Sequence, residues 1–453
     1  MSFDTLIRNG TVVFPHLGVR RADVGLRDGR IAAVLAPGEP VGEAGETIDA
    51  TGLHVFPGLV EPHLHFGFAE PVTEYQTETF YAAQGGVTTA VSYFLSSASY
   101  AELFTTARAE CEARAHVDFA FHFSACTETH LQEMGRYVQD YGVTSFKYFM
   151  NFKGEEGRYM GLDGTDDGYF HDLLAESVRV GRPMVVCHTE NIEMVARTRR
   201  RFQSEGRATL RDYCLSKPPI TEAENLVRAA YLAEKTGARI YIPHVSTAMA
   251  VRDAAAWRER YDQIWLETCP HYLTHHMDMD LDSVYKANPP LRSAEDVEVL
   301  WEALADGTID AIGADHVPRK RATKEKPIWQ ATQGFPGTAT ILPVLLDEGY
   351  HKGRLGLQRI AQIFSSVPAR LFDIAETKGD IQVGHDADLT LVDLEHEHVV
   401  DPVELGSWSD YSPYEGRALK GWPVRTIVRG TTVMCDHRVV GAPGHGRYIA
   451  RTR

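Results

Sequence analysis

Between positions 56 and 373, short apolar runs of strand composition alternate with stretches of helical composition, and that alternation restricts the chain to a parallel α/β architecture. Eight runs qualify as strands, at 59–65, 87–94, 117–125, 143–150, 183–189, 239–246, 264–271 and 310–315. Eight such strands with helices between them predict a (β/α)8 TIM barrel. Helices are expected at 221–236 and 294–305, where Gly237 and Gly307 follow as stop residues.

The flanks have a different character. Strand-like runs at 5–8 and 23–26 are punctuated by Asn9-Gly10 and Asp28-Gly29, dipeptides that tolerate positive φ and close hairpins. The far end repeats the style at 387–392 and 424–428, followed by Arg429-Gly430. Neither end has enough strands for a stable sheet alone, so both are expected to pair into one small β-sandwich. The expected division is 1–57 for the first part of that sandwich, 58–375 for the barrel and 376–453 for the second part.

With a formal net charge of -16, the chain is a poor partner for nucleic acid, which calls for clustered cations. The basic run at 197–201 reads as a solvated helix face. No uncharged run reaches the 18 residues that crossing a bilayer requires, and the first residues lack a signal-peptide pattern, so no membrane partner and a cytoplasmic location are expected. Six cysteines without a Cys-x-x-Cys pair fit reduced core residues.

Chemistry on a barrel gathers at the C-terminal ends of the strands, so metal-ligand side chains there carry weight. In Pro57-Gly58-Leu59-Val60-Glu61-Pro62-His63-Leu64-His65, two histidines two residues apart share a face of the first strand. The fifth strand finishes on His188, the sixth on His244 and the eighth on Asp315. Lys147 stands inside the apolar run Ser145-Phe146-Lys147-Tyr148-Phe149-Met150, where a bare ammonium would be costly and must be paired, neutral or modified. Singly, each has a bland reading: a hydrogen-bonded core histidine, a helix-capping aspartate, an ion-paired lysine. Jointly, their placement on one barrel favours a metal site.

The motifs Pro62-His63-Leu64-His65, Phe146-Lys147-Tyr148-Phe149-Met150, His188-Thr189-Glu190-Asn191, His244-Val245-Ser246-Thr247, Cys269-Pro270-His271-Tyr272, Asn288-Pro289-Pro290-Leu291-Arg292 and Asp315-His316-Val317-Pro318 resemble, in order and over nearly the full length, those of the cyclic amidohydrolases. That group contains dihydropyrimidinase, hydantoinase, allantoinase and dihydroorotase. The resemblance implies two divalent ions, usually zinc, with His63, His65 and Asp315 on one and His188 and His244 on the other. It further implies that Lys147 is carboxylated by carbon dioxide and bridges both. Hydroxide held between the ions would attack a ring amide carbonyl, and Asp315 would move the proton to the departing nitrogen. Members are commonly dimers or tetramers, so a homo-oligomer is expected.

The substrate is expected to be a small cyclic amide or imide. Asn288 is placed by resemblance to hydrogen-bond the ring. Dihydroorotases follow the histidine pair with a carboxylate-binding arginine, where this chain reads Phe66-Gly67-Phe68. Glu70-Pro71-Val72-Thr73-Glu74-Tyr75 resembles allantoinase, although the asparagine of that enzyme is missing. Phe152 stands where dihydropyrimidinases carry an oxyanion-supporting tyrosine. Phe68 and Phe152, with Phe66, suggest a pocket for an apolar ring substituent, unless they are barrel packing. The preferred expectation is a hydantoinase or dihydropyrimidinase-like hydrolase, the alternative an allantoinase- or dihydroorotase-like one. A remote third is a non-catalytic scaffold, although such relatives lose metal ligands and all six positions are filled here. His271 and His316 could support the ligands or touch substrate.

Overall fold

The computed structural model of the chain describes residues 2–68, 70–153, 157–158 and 165–452. Eight strands form one sheet in chain order: β1 (Leu59–Leu64), β2 (Val87–Phe94), β3 (Asp118–Ser124), β4 (Ser145–Phe149), β5 (Met184–His188), β6 (Ile240–Ile242), β7 (Ile264–Thr268) and β8 (Ala311–Ile312). From β3 to β8 each pairing is parallel, as connections through helices require. This is the expected (β/α)8 barrel. All strands but β2 end earlier than the sequence suggests, by three residues or more at β6, which stops before His244, at β7, which stops at Thr268, and at β8, which stops before Asp315. His244 and Asp315 have a shared reason. Both residues adopt left-handed backbone, at φ 45° and 47°, which breaks the pleat and turns the chain out of the sheet.

The chain divides into two compact units. One comprises Met1–Val91, Ala109–Ala120 and Pro336–Ile449, the other Ser92–Arg108, Phe121–Phe335 and Ala450–Arg453. In the first, Phe3–Arg8 pairs antiparallel with Asp23–Arg27 and parallel with Ala44–Asp49 in a four-stranded sheet. A seven-stranded sheet joins both chain ends, with His54–Pro57 antiparallel to Leu389–Val399. Ile7, Val24 and Ile48 of the smaller sheet meet Val12, Val55, Leu389, Leu391 and Ile427 of the larger in one buried core, which makes the pair a sandwich. Each fully buried aliphatic side chain there contributes about 1.5–3 kcal/mol.

Asp28-Gly29 and Arg429-Gly430 close tight antiparallel turns as expected. Asn9-Gly10 does not. Thr11–Phe14 pairs with Gly18–Arg21 in the other sheet, so Asn9, at φ 65°, turns a corner between layers. A positive φ fits a corner as well as a hairpin, and the dipeptide alone cannot distinguish them.

One buried ion cluster ties this unit together. Lys378 Nζ, on a side chain 2% exposed, lies 2.6 Å from Asp118, 3.0 Å from Asp386 and 2.6 Å from Asp388, and Arg429 also donates to Asp118. Lys378→Met leaves those carboxylates crowded around an apolar side chain. It is expected to destabilise the protein by about 3–5 kcal/mol, read as a lowered urea midpoint at unchanged slope.

In the second unit, Ala294–Asp306 starts from a capping box between Ser293 and Asp296 and stops at Gly307, at φ 93°. Ile220–Thr236 stops at Gly237, at φ 79°. Arg197, Arg200 and Arg201 of Ile192–Ser204 are exposed, as expected of a solvated face. Among the described residues no helix is long and apolar enough to cross a membrane.

Candidate metal centre

The first unit supplies the histidine pair. Every residue of β1 is buried, and the strand enters through Gly58, where a Cβ would meet Thr88 Oγ1 at 2.3 Å and Asp388 Cβ at 2.6 Å. Glu61 folds back to accept the His63 backbone N–H at 2.8 Å. His63 is fully buried at the end of β1, and His65 lies one residue beyond it. Their ring centroids are 5.7 Å apart, so the pair stands together as the spacing predicts. Phe68, 37% exposed, presents an edge-to-face contact to His65 at 6.4 Å.

Lys147, His188, His244 and Asp315 lie in the second unit. Lys147, on β4 and 1% exposed, sets its Nζ 4.5 Å from the centroid of the Tyr93 ring and 5.1 Å from that of Phe149. Burial pulls its pKa down to about 8, against the opposing pull of Asp315 and Glu267. About a tenth of the amine is then neutral at pH 7, far more than for an ordinary lysine. His188, at the end of β5, is held below its ordinary value by burial and is therefore neutral. Its ring lies 4.6 Å from that of His244. Among the described residues, His188 Nε2 accepts or donates no hydrogen bond, and the Glu190 carboxylate oxygen stands 4.0 Å away.

The turn bearing His244 is held by acids that sequence reasoning missed. Glu267 accepts the His244 backbone N–H at 3.2 Å and the Tyr241 hydroxyl at 2.8 Å. Glu222 accepts the Ser246 N–H at 3.0 Å and pairs with Arg292 at 3.1 Å, both side chains almost fully buried. Arg292 sits in the quoted Asn-Pro-Pro-Leu-Arg motif, which was the available signal. Asp315 is 8% exposed just beyond β8.

The remaining expected site residues divide. Asn288 is half-buried, and its Oδ1 accepts from Lys217 Nζ at 2.5 Å. Lys217 also grips both oxygens of Glu190, at 3.0 and 2.8 Å. Burial pushes the Glu190 carboxyl up, but the Lys217 ammonium beside it outweighs that and holds the group at about 2. Asn288 is thus one end of a buried Glu190–Lys217–Asn288 chain. Phe152 is half-buried and stacks on Phe149 at 4.2 Å. His271 packs against Tyr272 and Phe335, and His316 is fully buried in a bridge to Phe335.

These residues fit a divalent metal. Neutral imidazole is the form that binds zinc, and a buried ring nitrogen without a hydrogen bond is what a coordinated ion would satisfy.

The profile described as amidohydrolase family matches residues 261–433. An allantoinase of Rubrobacter xylanophilus is 38% identical, over 100% of this chain and 98% of that protein. The chain belongs to the amidohydrolase family. A D-hydantoinase of Geobacillus stearothermophilus is 33% identical over 99% of this chain and 96% of its own. The solved L-hydantoinase (dihydropyrimidinase) from Arthrobacter aurescens superposes with a TM-score of 0.92 at 32% identity, covering 100% of both chains. With hydantoinases and allantoinases matching along its whole length, this amidohydrolase is a hydrolase of cyclic amides. Amidohydrolases generally depend on a pair of metal ions, and candidate ligand groups are present here.

Proposed function

We propose that the chain opens hydantoin-like and dihydropyrimidine-like rings, using His63, His65, Lys147, His188, His244 and Asp315 to hold two divalent ions, zinc in preference. The observation that carries this reading is Lys147, buried on β4 over two aromatic faces with its pKa at about 8. A neutral amine adds to carbon dioxide, losing one proton, to give a carbamate with two oxygens. That anion would bridge the pair, with His63, His65 and Asp315 on one ion and His188 and His244 on the other. When bound, the ions supply Lewis acidity and lower the pKa of water. Asp315 takes the proton of the attacking water and returns it to the ring nitrogen as the C–N bond breaks, leaving a chain carboxylate. Phe68 and Phe152 flank an apolar ring substituent, and Asn288 hydrogen-bonds the ring.

The chain is proposed to act in the cytoplasm as a dimer or tetramer. Its free cysteines, four of them buried, fit a reducing compartment.

The test is ring opening by zinc-loaded protein with bicarbonate across hydantoin, 5-phenylhydantoin, dihydrouracil, succinimide, allantoin and dihydroorotate. 5-Phenylhydantoin is expected to exceed hydantoin by about 10- to 100-fold in kcat/KM, the worth of burying part of an aromatic group. Preference for allantoin would favour the second reading, which the Rubrobacter allantoinase supports by its identity over the whole chain. Failure to open any ring would refute the proposed substrate class.

A further inference from the structure

The first unit holds another histidine cluster, which the proposed chemistry does not use. His396 and His398 lie two residues apart on the strand Leu389–Val399, so they share one face. His437 belongs to the two-residue turn Asp436-His437 between Thr431–Cys435 and Arg438–Val439. Both turn residues are left-handed, at φ 49° and 59°. Such turns favour Asn-Gly or Asp-Gly, and a histidine in the second place is held there against strain. Strain of this kind persists where the surroundings over-determine it.

The geometry is close to that of a ligand set. His437 Nε2 lies 3.0 Å from His396 Nε2, and one ring nitrogen from each histidine lies within 4.8 Å of the others. Around a tetrahedral zinc ion with bonds of about 2.0–2.1 Å, neighbouring nitrogens stand about 3.3 Å apart, so modest ring rotations complete the arrangement. All three residues are half-buried, and the rings of His398 and His437 are nearly parallel at 4.6 Å. Trp422 walls one side, edge-on to His398 at 5.2 Å and to His437 at 5.9 Å. Glu404 Oε2 lies 3.2 Å from His398 Nε2 and brings negative charge beside the cluster.

We propose that His396, His398 and His437 bind one divalent transition-metal ion of the zinc, nickel or copper type, clasping the strand Leu389–Val399 to the 436–437 turn. Imidazole donors select these ions over magnesium and calcium, which prefer oxygen.

His437→Gly tests this cleanly, because glycine accepts the left-handed turn and removes one ligand without threatening the fold. Full-length protein and variant are dialysed against zinc, and metal per chain is measured alongside ring opening and thermal unfolding. The unaltered protein should hold one more zinc per chain than His437→Gly and His398→Ala, at equal ring-opening rates. Zinc added to metal-stripped protein should raise its Tm further than it raises that of either variant. With copper, the unaltered protein should add an electron paramagnetic resonance signal split by nitrogen that both variants lack. Equal zinc content and equal copper spectra in all three proteins would overturn the proposal and leave a hydrogen-bonded histidine stack. The reading is by difference, so it stands or falls independently of metal at the barrel.

Discussion

Lys147→Met is expected to reduce ring opening by at least about 10³-fold and to lower the metal content of the purified protein. Methionine preserves much of the length and the apolar stem but cannot take up carbon dioxide, so the bridging anion is lost. The buried position distinguishes this from an ordinary surface lysine: the amine is 1% exposed and sits over the rings of Tyr93 and Phe149. Lys147→Ala leaves room that Lys147→Met fills, so millimolar acetate or propionate should restore part of the rate and part of the metal in the alanine variant alone. A methionine variant within tenfold of the unaltered protein would refute the carbamate.

Asp315→Asn is the second large effect. The amide keeps the shape and can still present an oxygen to a cation, but it cannot accept the proton of an attacking water. Loss of a positioned acid or base costs about 10²–10⁴-fold in rate, and the loss should fall on kcat, with KM changed less than about threefold. Metal analysis on the same sample separates this from loss of a ligand: metal retained with kcat lost supports the proton role, whereas metal lost in proportion to rate would reduce Asp315 to a ligand.

The barrel was legible because its strands pack against helices on one face and into the barrel interior on the other, and so read as largely apolar runs; β5, Met-Val-Val-Cys-His, is buried at each position. Lys147 was legible for the same reason, as a charge where the pattern permits none. His244 and Asp315 were found, but their strands were drawn too long, since the left-handed positions themselves are held by histidine and aspartate and not by Gly or Asn. The pairs Glu222–Arg292 and Glu190–Lys217 were not foreseen. Buried charges tolerate burial only when paired, and the partners here lie far apart in sequence, so neither reads as a core residue alone. The same holds for His437, whose companions precede it by some forty positions. Corner and hairpin were confused at Asn9-Gly10 because both need positive φ.

The pairing of Pro57 with Leu389 has a consequence for the order of events at birth. The strand His54–Pro57 leaves the ribosome more than 300 residues before the neighbour that covers its edge. At about 5–20 residues per second it waits on the order of 20 to 60 s with unpaired backbone groups exposed. The four-stranded sheet, whose strands all lie within the first fifty residues, can close during that interval. The seven-stranded one cannot, so nascent chains stalled inside the barrel carry an open edge of the kind that recruits chaperones or other chains.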